Sequence, residues 1–298
     1  MKYLLESSKF NEIDQICQQY GISDYTPNPD GSINVDGDVD LSSKGLSELP
    51  LKFGIVTGNF YCNANKLTSL RGAPKEVGSY FSCSYNQLTS LEGSPIEVGG
   101  GFYCDNNQLT SLDGSPREVG ANFNCSYNQL TSLEGAPREV VGDFYCSYNQ
   151  LTSLDGAPRE VGCGFYCDSN QLTSLEGAPR KIGGNFYCGY NQLTSLQGAP
   201  IEIVGDFYCY NNQLTSLHGA PREVGGDFDC NDNKLTSLRG APIEVGGDFD
   251  CNNNPLPQLI LDNLSMIKHI IKNQEDYSIW RKDGTLDEFR FREMMMDI

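Results

Sequence analysis

Between residues 39 and 259 the apolar positions return on a fixed 21-residue period. Ten cysteines mark it without a slip: Cys62, Cys83, Cys104, Cys125, Cys146, Cys167, Cys188, Cys209, Cys230 and Cys251. A phenylalanine stands two residues before each, from Phe60 to Phe249. An asparagine stands three residues after, from Asn65 to Asn254. Leucines follow at plus five, Leu67 to Leu256, and at plus eight, Leu70 to Leu259. Nine of the units add Gly at plus ten, Pro at plus twelve, and Val or Ile at plus fifteen.

Phe, the residue after it and Cys alternate in, out and in, which predicts a short strand. Asparagine and the closely spaced leucines turn the chain. Gly and Pro then forbid a long helix on the return. One strand and a tight return cannot bury their own apolar face, but stacked copies can. The period therefore predicts a β-rich solenoid of about eleven coils, with a parallel sheet on one face and short irregular returns. Phe, Cys, Leu and Val become stacked core columns. The asparagine is a polar residue held inside, where its amide must bond backbone groups at the bend.

The unit F-x-C-x-x-N-x-L-T-S-L-x-G-x-P-x-x-V resembles the leucine-rich repeat, L-x-x-L-x-L-x-x-N-x-L. Phe and Cys fill the second and third apolar slots, and Val lies one place off the first. The core "NQLTSL" is similar to the short bacterial class found in leucine-rich effectors of enteric pathogens and in repeat proteins of tailed phages. The resemblance covers residues 39 to 259 and speaks to fold. Those effectors carry a large C-terminal ubiquitin-ligase domain with a catalytic cysteine. Only residues 260–298 follow the repeat here and none is cysteine, so that activity does not carry over.

The motif decays at both ends. Val39, Leu41, Leu46, Leu49 and Val56 keep the slots of a degenerate first coil, while Lys44 replaces the asparagine. Leu4, Leu5, Ile13, Ile16 and Cys17 suggest an amphipathic helix ending near Gly21, and "NPDGS" marks a turn. After Leu259, Ile260, Leu261, Leu264, Ile267, Ile270 and Ile271 recur at helical spacing. A second helix is expected near Leu286 to Met295. The chain thus divides into an N-terminal helical cap and turn (1–38), a solenoid (39–259) and a C-terminal helical cap (260–298). Trp280, the only tryptophan, is expected to anchor the cap. Caps keep an open solenoid end from offering its strand edge and core to other chains.

A formal net charge of −18 excludes general attraction to nucleic acid phosphates or anionic membranes, and favours a partner with a basic patch. No apolar stretch is long enough to span a bilayer, and the first residues lack the apolar core of a signal peptide. A cytoplasmic location is the expectation; core columns of thiols suit a reducing compartment. Stacked cysteines point in parallel, which disfavours disulfides. Cys163 and Cys167 approach zinc spacing without a second pair. His218 reads as a surface residue and His269 as part of the C-terminal helix. No catalytic residue, metal site or cofactor is assigned.

The information then sits in the variable letters. The outward residue between Phe and Cys includes Tyr61, Tyr103, Tyr145, Tyr166, Tyr187 and Tyr208, then Asp229 and Asp250. The position before Phe ends in Asp206, Asp227 and Asp248. The positions after Cys add Tyr85, Tyr127, Tyr148, Tyr190 and Tyr210, with Asp105, Asp168 and Asp232. Tyrosine offers a large amphipathic contact at low rotamer cost. These columns are the expected protein-binding wall of a non-enzymatic interaction protein with a host-modulating role. Two alternatives use the same letters: an acidic mimic of nucleic acid that inhibits a nucleic-acid-binding protein, and a structural component of a virion or surface. On the return side, the Arg and Glu of "PREV" are expected to form an ion-paired, solvated face.

Overall fold

A computed structural model describes residues 2–297, with side chains placed from residue 11 onward. The expected β-rich solenoid is what the chain forms. It divides into two compact units, residues 1–146 and 147–298.

The first unit opens with helix α1 (Lys2–Tyr20). Ile13, Ile16 and Cys17 are its less exposed positions; the side chains of Leu4 and Leu5 lie outside the described residues. The Ile22 N–H donates to Cys17 O (2.8 Å) across Gly21, whose φ of +68° ends the helix. Strands β1 (Tyr25–Pro27) and β2 (Ile33–Val35) then form an antiparallel hairpin around the "NPDGS" turn. Strand β3 (Val39–Asp40) begins one ladder, and β4 (Phe53–Val56) pairs in parallel with β2.

From there each coil carries two strands. The Phe strands Phe60–Tyr61, Phe81–Ser82, Phe102–Tyr103, Phe123–Asn124 and Phe144–Tyr145 are parallel, with Phe opposite Phe. The return carries a second parallel ladder, Glu76–Val77, Glu97–Val98, Glu118–Val119 and Glu139–Val140. The second unit repeats both. Its Phe strands run from Phe165–Tyr166 to Phe249–Asp250. Its Val strands are Glu160–Val161 with Lys181–Ile182, and separately Glu202–Ile203, Glu223–Val224 and Glu244–Val245. The return strand was not expected. Proline fixes an extended entry, and one exposed Glu followed by one buried Val is all the alternation there is. Two residues are too few to read as a strand.

The Phe rings stack along each unit: Phe102 on Phe123 at 5.4 Å and 8°, Phe186 on Phe207 at 5.4 Å and 9° between planes. Cysteine fits the neighbouring column because it is small and keeps a weak donor. Cys62 Sγ lies 3.4 Å from Ser82 O, which already accepts the Cys62 N–H at 2.8 Å. Burial pushes these thiols well up, Cys188 and Cys209 among them.

The asparagine column ties each coil to the one before it. Asn128 Oδ1 accepts the Leu109 N–H (2.9 Å), and Nδ2 donates to Cys104 O (3.1 Å) and to its own coil's Cys125 O (3.0 Å). Asn191 does the same with Leu172 N, Cys167 O and Cys188 O. This explains Lys44. The asparagine serves the preceding coil, and the β3 ladder has no strand before it. The glycine at plus ten is required twice over: Gly114 has φ +93°, and a Cβ there would fall 2.7 Å from Leu91 O.

After the last coil come α2 (Gln258–Leu261), a 3-10 turn (Leu264–Met266), α3 (Ile267–Asn273) and α4 (Glu288–Met296). Helix α3 packs on the Glu244–Val245 strand. Trp280 is buried and donates from Nε1 to the buried Gln274 Oε1 (2.7 Å). Asp287 caps α4 by accepting the Arg290 N–H.

Replacing Asn191 with alanine removes the side-chain partner of one N–H and three carbonyls in a buried setting. A loss of about 3 kcal/mol is expected, read as a lower urea midpoint by circular dichroism. Lys44→Asn, at the coil with no predecessor, should leave the midpoint unchanged. Equal midpoints for Asn191→Ala and the parent would remove the asparagine ladder as a source of stability.

Candidate functional site

The residue between Phe and Cys points outward in every coil, yet none of its tyrosines is fully exposed. Tyr61, Tyr103, Tyr145, Tyr166, Tyr187 and Tyr208 are all half-buried, as is Tyr210. In the first unit Tyr80 lies against Tyr103 with centroids 6.2 Å apart, and Tyr145 Oη donates to Asp143 Oδ2 (3.0 Å). In the second unit the rings form a connected cluster. Tyr166 stacks on Tyr187 (4.9 Å), Tyr187 meets Tyr208 edge-on (4.6 Å), and Tyr208 lies 6.2 Å from Tyr210. Tyr210 in turn meets Tyr190 edge-on (5.4 Å). Burial, then Asp206, pushes the Tyr208 hydroxyl up to about 12; burial also raises Tyr61, Tyr103, Tyr187 and Tyr210. The phenols are therefore neutral donors at physiological pH. The ring leans back over the residue two places earlier: a Cβ on Gly164 would fall 2.6 Å from Tyr166.

A second tyrosine column was named in the sequence but its backbone was not foreseen. The residue two after Cys is left-handed in every coil, from Ala64 to Asn253, with φ between +51° and +57°. Asn and Asp tolerate that region; bulky side chains do not. Asn106, Asn211, Asp232 and Asn253 fit it. Tyr85, Tyr127, Tyr148 and Tyr190 do not, yet they hold it and stand 49–60% exposed. The signal that could have found this was the Asn and Asp among the letters of the column.

Most of the aspartates also have structural work. Asp206 Oδ1 accepts the Asp227 N–H (2.9 Å), and Asp227 Oδ1 accepts the Asp248 N–H (2.7 Å). Asn185 and Asn122 hold the same position and do likewise for Asp206 and Asp143. This is a second ladder of side chain to backbone, one coil to the next. Asp229 and Asp250 instead close local turns, accepting the N–H of Asn231 (2.8 Å) and Asn252 (3.2 Å). The turn explains why Asp replaces Tyr there without loss of the strand. Burial raises the Asp229 carboxyl, and Asp250, Asp232 and Asp227 add to it. Asp248 is exposed.

The expected ion pairing of the return face is not found. Among the described residues no ion pair joins an Arg and a Glu of the "PREV" segments. The register explains it: identical letters stack, so Glu76 lies beside Glu97 and Glu223 beside Glu244. Lys181 opposite Glu160 is the exception in strand register. Cys163 is exposed while Cys167 belongs to the core column, so the two do not converge. His218 is exposed and His269 half-buried on α3.

Tyr190→Asn should stabilise the protein by about 1 kcal/mol through relief of the left-handed tyrosine. A thermal melt at or below the parent's would mean the ring's own contacts outweigh the strain. Asp229→Asn keeps the turn acceptor and removes a disfavoured charge. The folded-state pKa of Asp229 is raised, so ionisation weakens folding above it, and the penalty fades as pH falls through it. The variant should melt higher at neutral pH, and the gap should close as the pH falls below the unfolded value of about 3.9, where the carboxyl becomes neutral in both states.

No family model matches the sequence, and no curated protein does either. Among solved structures the chain is similar to YopM from Yersinia enterocolitica WA-314, at 17% identity and a TM-score of 0.43, over 74% of this chain. The match spans 65% of that protein's length.

Proposed function

We propose that the protein is a non-enzymatic interaction module that grips another protein with its tyrosine-bearing strand face. The observation that carries this reading is the exposed tyrosine held in a left-handed backbone. Tyr85 and Tyr190 are 60% and 56% exposed and stand where asparagine in other coils costs less. Strain kept at a surface residue points to use rather than folding. The neighbouring ring cluster from Tyr166 to Tyr210 offers rigid, amphipathic area with neutral hydroxyl donors, the chemistry of binding hot spots.

The aspartates at 227, 229, 232, 248 and 250 bias the choice of partner towards one with a basic patch. Asp229 is raised by burial first and then by Asp250, Asp232 and Asp227, and this clustering of carboxylates also favours a second reading, an acidic mimic that occupies a groove built for phosphates. In either reading the helices of 1–38 and 260–298 act as end caps. The resemblance of "NQLTSL" to bacterial and phage repeats suits a host-modulating role in a host cytoplasm.

Affinity capture from a bacterial lysate at low and high salt, with identification of what is retained, tests the reading. The parent should retain a partner that the triple variant Tyr187→Ala, Tyr190→Ala, Tyr208→Ala loses, with at least about tenfold weaker binding. Identical capture by both would rule out the tyrosine face. Retention that survives the tyrosine changes but vanishes at high salt would favour the acidic mimic.

A further inference from the structure

Within each unit the Phe and Cys N–H groups donate to the next coil. Phe228 N donates to Asp248 O and Cys230 N to Asp250 O, both at 2.8 Å. The last coil has no successor. Among the described residues, the N–H groups of Phe249 and Cys251 make no hydrogen bond. The Glu244–Val245 strand of the same coil is packed by α3, and the largely buried Phe249 and Cys251 face the C-terminal segment; no strand pairs with the Phe249–Asp250 edge on that side. The edge lines a groove of about 530 Å³ with Leu264, Met266, Ile267, Lys268 and His269 on the far side. That is ample room for a few residues of extended chain.

His269, on the groove wall, carries an unpartnered ring nitrogen. His269 Nδ1 lies 3.3 Å from Asn273 Nδ2, which also donates to His269 O and so acts as the donor to the ring. The other ring nitrogen, Nε2, is buried without a hydrogen-bond partner. An edge that offers N–H groups calls for carbonyl acceptors. The charge around it is negative: Asp248 and Asp250 on the edge, Asp227, Asp229 and Asp232 behind them. Lys268 opposes them but lies 3.4 Å from Gly246 O, over the other strand.

We propose that the open Phe249–Asp250 edge is a docking site for an extended basic peptide of another protein, which adds to the sheet as its next strand. The peptide's carbonyls accept from Phe249 and Cys251, and its outward side chains meet Asp248 and Asp250. This is strand addition, in which main-chain bonds give affinity and alternate side chains give specificity. A second copy of this chain is disfavoured as the occupant. Its matching edge, β3, would bring Asp38 and Asp40 against Asp248 and Asp250, and like charges across strands repel. The site is separate from the tyrosine face and does not depend on it.

The probe is a fluorescein-labelled octapeptide of alternating lysine and valine, titrated by anisotropy against the full chain. Two further versions are N-methylated on alternate residues. One methylated set should weaken binding at least about tenfold and the other should not, because alternate peptide N–H groups face the edge. Hydrogen exchange at Phe249 and Cys251 should slow on binding, and the double change Asp248→Lys, Asp250→Lys should weaken it about tenfold. Absence of saturable binding overturns the proposal. So does equal tolerance of both methylated sets, which means charge attraction alone. Protection at Phe186–Tyr187 and Phe207–Tyr208 in place of the edge also overturns it, and places the probe on the tyrosine face. Failure here leaves the tyrosine reading standing, since that reading is judged by tyrosine variants.

Discussion

Each coil of this protein is completed by the next. The asparagine of one coil supplies the acceptor for a leucine N–H and the donor for a cysteine carbonyl in the coil before. The Phe and Cys N–H groups look forward, to the next coil, for their acceptors. A buried backbone group without a partner costs as much as the hydrogen bond is worth, so no coil is stable alone. That directional debt is why the asparagine is retained through ten coils and why it is dispensable at Lys44. It also leaves the two ends of the Phe ladder chemically different, since the Phe and Cys N–H groups in it point towards the last coil.

The same rule reaches the surface. The acidic column before Phe looks outward and variable, yet Asp206 and Asp227 bind the backbone of their successors much as Asn122 and Asn185 do. Asn and Asp are interchangeable there because both present an oxygen to an N–H. Gly101 and Gly164 occupy the same position under the rings of Tyr103 and Tyr166, where a Cβ would collide with the ring. A column can therefore vary in letter and still be constrained. Variation alone does not mark a binding residue; an exposed side chain whose backbone is costly marks it better.

Most of the core was legible in the sequence. Phe, Cys, Leu and Val at fixed spacing could only stack, and the asparagine had to be satisfied at the bend. The return ladder was not legible, because Glu76–Val77 and its equivalents span two residues and give periodicity nothing to act on. Of the candidate site, the tyrosine positions were legible and their environment was not. Half-burial of Tyr187 and Tyr208 comes from neighbouring coils, which the letters of one coil do not contain. The ion pairs expected along "PREV" fail for a related reason: a repeat read along the chain alternates charge, while the same repeat stacked in register sets like beside like.

In-register stacking thus multiplies whatever a column carries, favourable or not. Phenylalanine over phenylalanine gains contact at every step. Aspartate over aspartate loses: Asp229 and Asp250 are register partners, and the inner carboxyl of the two is driven up by burial and by its neighbours. A repeat grown by copying would spread such a column through all coils. Here it is confined to the last ones, and tyrosine holds the corresponding slots in most of the others. The charge therefore accumulates where the ladder also runs out of acceptors, so that main-chain donors and carboxylates coincide on one edge. Donors along a strand demand an extended backbone, and carboxylates beside them select a basic one. The β3 edge of a second copy meets the first requirement and fails the second, because its aspartates carry the same sign.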